Sequence, residues 1–227
     1  MLKGKITFER LVLCAILALF CINAGTLITI NTVNNKINKE HYKNNNIEYI
    51  KDKYVERLES EYCASRDNLA DEIEKYFSEV APNTSVNALT IIDLTSEYNV
   101  DLLFVLSQGQ IESHFATKGT AAKTNSIFNV GAYDGHSADE QKKNGFGFSH
   151  PDFSIEPYLK LLVNDYLVNG KTEMDLMTNY VNKHDKRYAS YKGYEAALLA
   201  LYTKLNDETS LSSAYRTYLM YKTKLGK

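Results

Sequence analysis

Val105-Leu-Ser-Gln-Gly-Gln-Ile-Glu-Ser-His-Phe-Ala-Thr-Lys-Gly-Thr-Ala-Ala-Lys-Thr-Asn-Ser-Ile-Phe-Asn-Val-Gly131 begins as an apolar helical run and ends as a loop of small and polar residues. Just upstream, Asp101 stands where a helix N-cap belongs, and Leu102, Val105, Leu106 and Gly109 share one face at helical spacing. At about 100° per residue, Glu112 continues that face rather than the solvated one. Thr117-Lys118-Gly119 supplies a helix stop shortly afterwards. A carboxyl placed there meets partial burial and the negative end of the helix dipole, and both disfavour its ionised form. A raised pKa is what a general acid working near neutral pH needs. The spacing equally admits a glutamate that is only salt-bridged at a helix end.

Outward from this stretch the chain reads as mainly α. Val86, Leu89, Ile92 and Leu94 form a stripe for a preceding helix that ends near Tyr98, with Ser85 as its N-cap. After Gly119, a region rich in Gly, Asn, Ser and Asp extends to about Ser149 and predicts a small lobe of loops or short strands, at 126–133 and 144–148. Helices then follow over 158–168 (stopped by Asn169-Gly170), 172–182, 195–205 and 210–225. Tyr188-Ala-Ser-Tyr-Lys-Gly-Tyr194 is a tyrosine-dense connection between two of them.

Upstream, Leu11 to Ile30 runs without a charge behind Lys3, Lys5 and Arg10. Its length suits a transmembrane helix with the N-terminus inside and the remainder exported. A cleaved signal peptide is the rival, although Ile22 suits cleavage after Ala24 poorly. The Asn/Lys-rich segment 31–46 reads as a solvated linker, and 47–80 as a charged helical spacer ended by Ala81-Pro82-Asn83. The expected division is therefore 1–30 anchor or signal, 31–83 linker and spacer, and 84–227 globular domain.

Composition narrows the class. The chain has 227 residues, 44% of them hydrophobic, and a formal charge of −2, so a sizeable core is possible and a nucleic-acid partner is not indicated. Two of the three cysteines lie inside the apolar N-terminal run, and five histidines are scattered, which predicts neither a disulfide framework nor a metal or other cofactor. Seventeen tyrosines against no tryptophan suit a wet sugar-stacking groove or, equally, half-buried helix surface.

Glu112-Ser113-His114-Phe115, Lys118-Gly119 and Asn125-Ser-Ile-Phe128-Asn-Val-Gly131 together resemble the glucosaminidase family of peptidoglycan hydrolases (glycoside hydrolase family 73), and more loosely the goose-type lysozymes. The family pattern often has Asn-Leu-Phe-Gly where this chain has Ser126-Ile127-Phe128-Asn129. Tyr188-Ala189-Ser190 is similar to a second family stretch, Tyr-Ala-Thr-Asp, with Tyr191 where the Asp would stand. The likeness covers about residues 84–205.

The resemblance implies a lysozyme-like helical domain with a groove beside the small lobe, acting on the β-1,4-linked glycan strands of peptidoglycan outside the cytoplasm. Glu112 would be the general acid, and Tyr188 a stabiliser of oxocarbenium-like charge. Ser113, Phe115, Asn125, Phe128, Tyr133 and Tyr191 would contact substrate. A second carboxylate would come from Asp134, Asp139, Glu140 or Asp152, with Asp134 in the Tyr133-Asp134-Gly135 turn preferred. A lytic transglycosylase, or a non-catalytic wall-binding or virion structural protein on a lysozyme-like fold, are the alternatives.

Overall fold

The computed structural model describes residues 8–130, 147–207 and 209–227, without the side chains of residues 8–28, 30, 41–42 and 44–46. The protein is mainly α-helical, as expected. Among the described residues the one β-feature is an isolated antiparallel bridge between Val181 and Arg187. The membrane anchor expected at 11–30 falls almost wholly on side chains outside this description. Among the described residues, no helix is long and apolar enough to cross a membrane.

Helix α1 spans Phe8–Val80 without a break. The linker expected at 31–46 is part of it: its described side chains are exposed, as a solvated segment requires, but its backbone is helical. No Gly or Pro occurs between Gly25 and Pro82, so nothing in the covalent chain interrupts the helix. Chain contacts divide the protein into Met1–Arg57 and Leu58–Lys227. The globular unit therefore starts at Leu58 rather than at 84. The reason is burial: Leu69, Ile73 and Phe77, each four residues on, lie in the core with Leu58 and Ala70. That part of the expected spacer is a core helix.

Within the second unit, α2 (Ala88–Glu97) is capped by Asn87, whose side chain accepts from the Thr90 amide, and not by Ser85. The Asp152 carboxylate accepts from the Asn87 amide at 2.9 Å, which fixes the residue as the helix entrance. Helix α3 (Leu102–Ser113) begins at the expected cap, Asp101, which accepts from the Phe104 amide at 3.0 Å. Every side chain from Leu102 to Gly109 is buried, so α3 is the central rod of the unit. One turn, α4 (Ala121–Thr124), follows. Asn125 and Phe148 then tie the two described ends of the small-lobe region together, through the Asn125 amide on the Phe148 carbonyl at 2.9 Å.

A 3₁₀ turn, Pro151–Ser154, leads into α5 (Ile155–Leu161), whose final turn widens to π geometry over Leu162–Tyr166. Asn169 and Gly170, both at positive φ, stop it as the sequence predicts. The helix expected over 172–182 lasts one turn only, α6 (Glu173–Leu176), opened by a Thr172/Asp175 capping box. Tertiary pairing ends it: the Tyr188 amide donates to the Tyr180 carbonyl at 2.9 Å, and the Asn182 side chain accepts from the His184 and Lys186 amides. Helices α7 (Tyr194–Asn206) and α8 (Ser210–Leu225) close the chain. Helix α7 is the main neighbour of α3, α2 packs on α3 and α5, and α8 packs on α7.

Gly109 sits at a close approach in this core. A Cβ there would lie 2.9 Å from the Phe115 ring and 3.2 Å from the Ile127 side chain. In a solvated helix Gly→Ala gains up to about 1 kcal/mol; here overpacking costs about 1–3 kcal/mol and dominates. Gly109→Ala is expected to lower the unfolding free energy in denaturant titrations.

Candidate active site

The last turn of α3 carries the acid. The helix stops earlier than the sequence suggests, because His114, Phe115 and Ala116 are all left-handed (φ 47°, 54° and 62°). Left-handed backbone costs a non-glycine residue about 1 kcal/mol or more, so three in succession must be held by their surroundings. They are. The His114 amide donates to Gln110 O and the Phe115 amide to Gly109 O, while the Ala116 amide donates to Ser113 Oγ at 2.7 Å. The turn drives Phe115 back beneath Gly109, against Phe77 at a 4.5 Å ring separation.

This fold of the loop reassigns three residues expected to touch substrate. Phe115 is fully buried in the core. Phe128 is buried as well, stacked on Tyr158 at 3.7 Å. Ser113 is buried and saturated: its hydroxyl donates to Ile127 O at 2.7 Å while accepting from Ala116. All three are turned into the core, because the aromatic and small residues that a sugar wall would use are also the ones a tight loop packs inward. Asn125, left-handed at φ 53°, spends its amide on Phe148 O. Tyr191 is 68% exposed and free to meet a ligand. Tyr133, Asp134, Asp139 and Glu140 lie outside the described residues. Asp152 is engaged by the Asn87 amide and by His150, whose Nδ1 lies 3.4 Å away.

Glu112 is half-buried, as its helical position predicts. The Tyr194 hydroxyl donates to its Oε1 at 2.5 Å, and the Asn129 amide donates to its Oε2 at 3.1 Å and to its backbone carbonyl at 3.3 Å. Burial raises its pKa above the ordinary 4.5, and the hydrogen bonds from Tyr194 and Asn129 oppose that rise. Burial, and behind it the Glu112 carboxylate, hold the Tyr188 and Tyr194 phenols far above their usual range, so both remain neutral donors.

The Tyr188 phenol feels the Glu112 charge, but its hydroxyl donates to Phe128 O at 2.9 Å. Its ring stacks on Tyr180 at 4.6 Å and lies 5.8 Å from Tyr194. Deeper still, Gln108 Oε1 accepts from Tyr158 at 2.5 Å and from Tyr180 at 2.9 Å. Sequence reasoning missed Tyr194, Asn129 and Gln108 as parts of the site. The tyrosine density of 188–194 was the one available signal for the first. Among the described residues, no group of three or more His, Cys, Asp or Glu is placed to hold a metal ion.

A raised pKa means that folding favours protonated Glu112. Its stability contribution is whole below the unfolded value near 4.5 and is lost as pH rises through the higher folded value. Glu112→Gln removes that loss. Thermal melts should show the variant gaining on wild type as pH rises above about 4.5; a constant difference would show that the carboxyl is not desolvated. Comparison with protein-family models, with curated proteins and with solved structures finds no match to this chain.

Proposed function

We propose that the protein is a peptidoglycan glycosidase with Glu112 as its general acid. The observation that carries this reading is the Glu112 carboxyl at the end of α3, desolvated enough to favour its proton and gripped by two neutral donors, Tyr194 and Asn129. The resemblance around Glu112 and Asn125–Gly131 supplies the substrate class, a β-1,4-linked amino-sugar glycan. The uncharged run Leu11–Ile30 supplies the location, a domain held outside the cytoplasm by an N-terminal anchor.

In this reading Glu112 gives its proton to the bridging oxygen as the C1–O bond breaks, and the leaving sugar departs as a neutral alcohol. The carboxylate that remains is stabilised by the Tyr194 and Asn129 donors, which strengthen as charge develops on it. Tyr188, with its hydroxyl on Phe128 O and its ring packed against Tyr180 and Tyr194, is the aromatic residue assigned to stabilise the developing positive charge at C1. Water completes the hydrolysis at C1 and loses its proton to a base, for which Asp134 is the preferred residue.

Purified wall should release reducing ends with wild-type protein, and Glu112→Gln should slow release by about 10²–10⁴-fold while sedimenting with the wall as before. Mass spectrometry of the products reads the bond cut. Anhydro-sugar ends would move the assignment to a lytic transglycosylase. Binding without release by wild type would replace it with a wall-binding protein.

A further inference from the structure

One position at which this chain departs from the family pattern is Asn129, which stands where Asn-Leu-Phe-Gly has its glycine. Its backbone is left-handed, φ 51°, a conformation that glycine adopts freely and that asparagine tolerates better than most other residues. The side chain is not idle there. Its single Nδ2 reaches both the backbone carbonyl of Glu112 and that residue's Oε2, at 3.3 Å and 3.1 Å. The first contact satisfies one of the carbonyls that a helix C-terminus leaves without an intrahelical partner. The second fixes the carboxyl relative to that carbonyl, so the amide bridges main chain and side chain of one residue.

We propose that Asn129 is a positioning residue, which locks the Glu112 carboxyl in one rotamer and leaves its orientation set between an amide on Oε2 and a phenol on Oε1. The inference rests on Glu112 being the acid of the proposed reaction. The two donors differ in kind. The Tyr194 hydroxyl can turn to accept a proton from Oε1, whereas an amide N–H only donates. Asn129 therefore favours the ionised carboxyl in every state, and it tempers what burial does. The other titratable groups acting with Glu112 are Tyr180 and Tyr188, both kept neutral by burial.

The test is a carboxyl ¹³C NMR titration of Glu112 in the full chain. Asn129→Gly suits the left-handed backbone and removes only the amide, so the Glu112 pKa should rise. On wall substrate the alkaline limb of the pH profile should move up with it, and kcat should fall by about ten- to a hundredfold with little change in KM. Asn129→Asp keeps the size and replaces the donor with an acid, so it should raise the Glu112 pKa further. Asn169→Gly, at another left-handed asparagine, should leave the titration unmoved. Identical Glu112 titrations in wild type and in both Asn129 variants would overturn the proposal. The titration needs no turnover, so an inactive wild type would remove the glycosidase reading while leaving the Asn129 contact separately decided.

Discussion

A helix buried on every side cannot leave its polar groups to water, and that constraint shapes the globular unit. From Leu102 to Gly109 α3 has no solvated face, yet it carries Ser107 and Gln108. Ser107 is satisfied locally, on the Leu103 carbonyl at 2.7 Å. Gln108 is not, and an unmet buried amide oxygen would cost about 1–3 kcal/mol. Tyr158 and Tyr180 meet that oxygen, one from α5 and one from the connection after α6, while the Gln108 Nε2 is buried without a hydrogen-bond partner. Each brings a large apolar ring and one hydroxyl, a combination that neither phenylalanine nor leucine offers. Tyr158 and Tyr180 are thus tyrosines because the core rod is polar at Gln108.

The same rod sets the site. Tyr166, Tyr180, Tyr188 and Tyr194 form one aromatic cluster with ring separations of 4.6–6.0 Å, and its outer member reaches Glu112. Desolvation of the acid follows from packing around α3 rather than from any charged neighbour. On the other side, the left-handed run 114–116 turns the chain so sharply that Phe115 fills the space left by Gly109. The backbone strain of that turn is offset by the core burial it permits. The returning loop then brings Asn129 onto the carboxyl.

These features bear on the proposed chemistry because a general acid must hold its proton and then tolerate losing it. Burial serves the first requirement, and fixed neutral donors serve the second. A lysine or arginine in place of Tyr194 would favour the ionised form before reaction. A wholly apolar cage would leave the ionised product without a partner.

Local sequence determined the helical class, the cap at Asp101, the stops at Pro82 and Gly170, and the half-buried position of Glu112 near a helix end. Each depends on propensity or on helical period within a few residues. Burial of Leu69, Ile73 and Phe77 was also written in their spacing, but the same spacing suits a free-standing stalk. Only partners elsewhere in the chain distinguish the two. The shortened helix at 173–176 was decided by Tyr188 pairing with Tyr180, and the inward turn of Phe115 and Phe128 by space beneath Gly109 and beside Tyr158. Asn129 and Tyr194 join Glu112 from 17 and 82 residues away. No periodicity carries that information, because a hydrogen bond between distant segments depends on how whole helices pack.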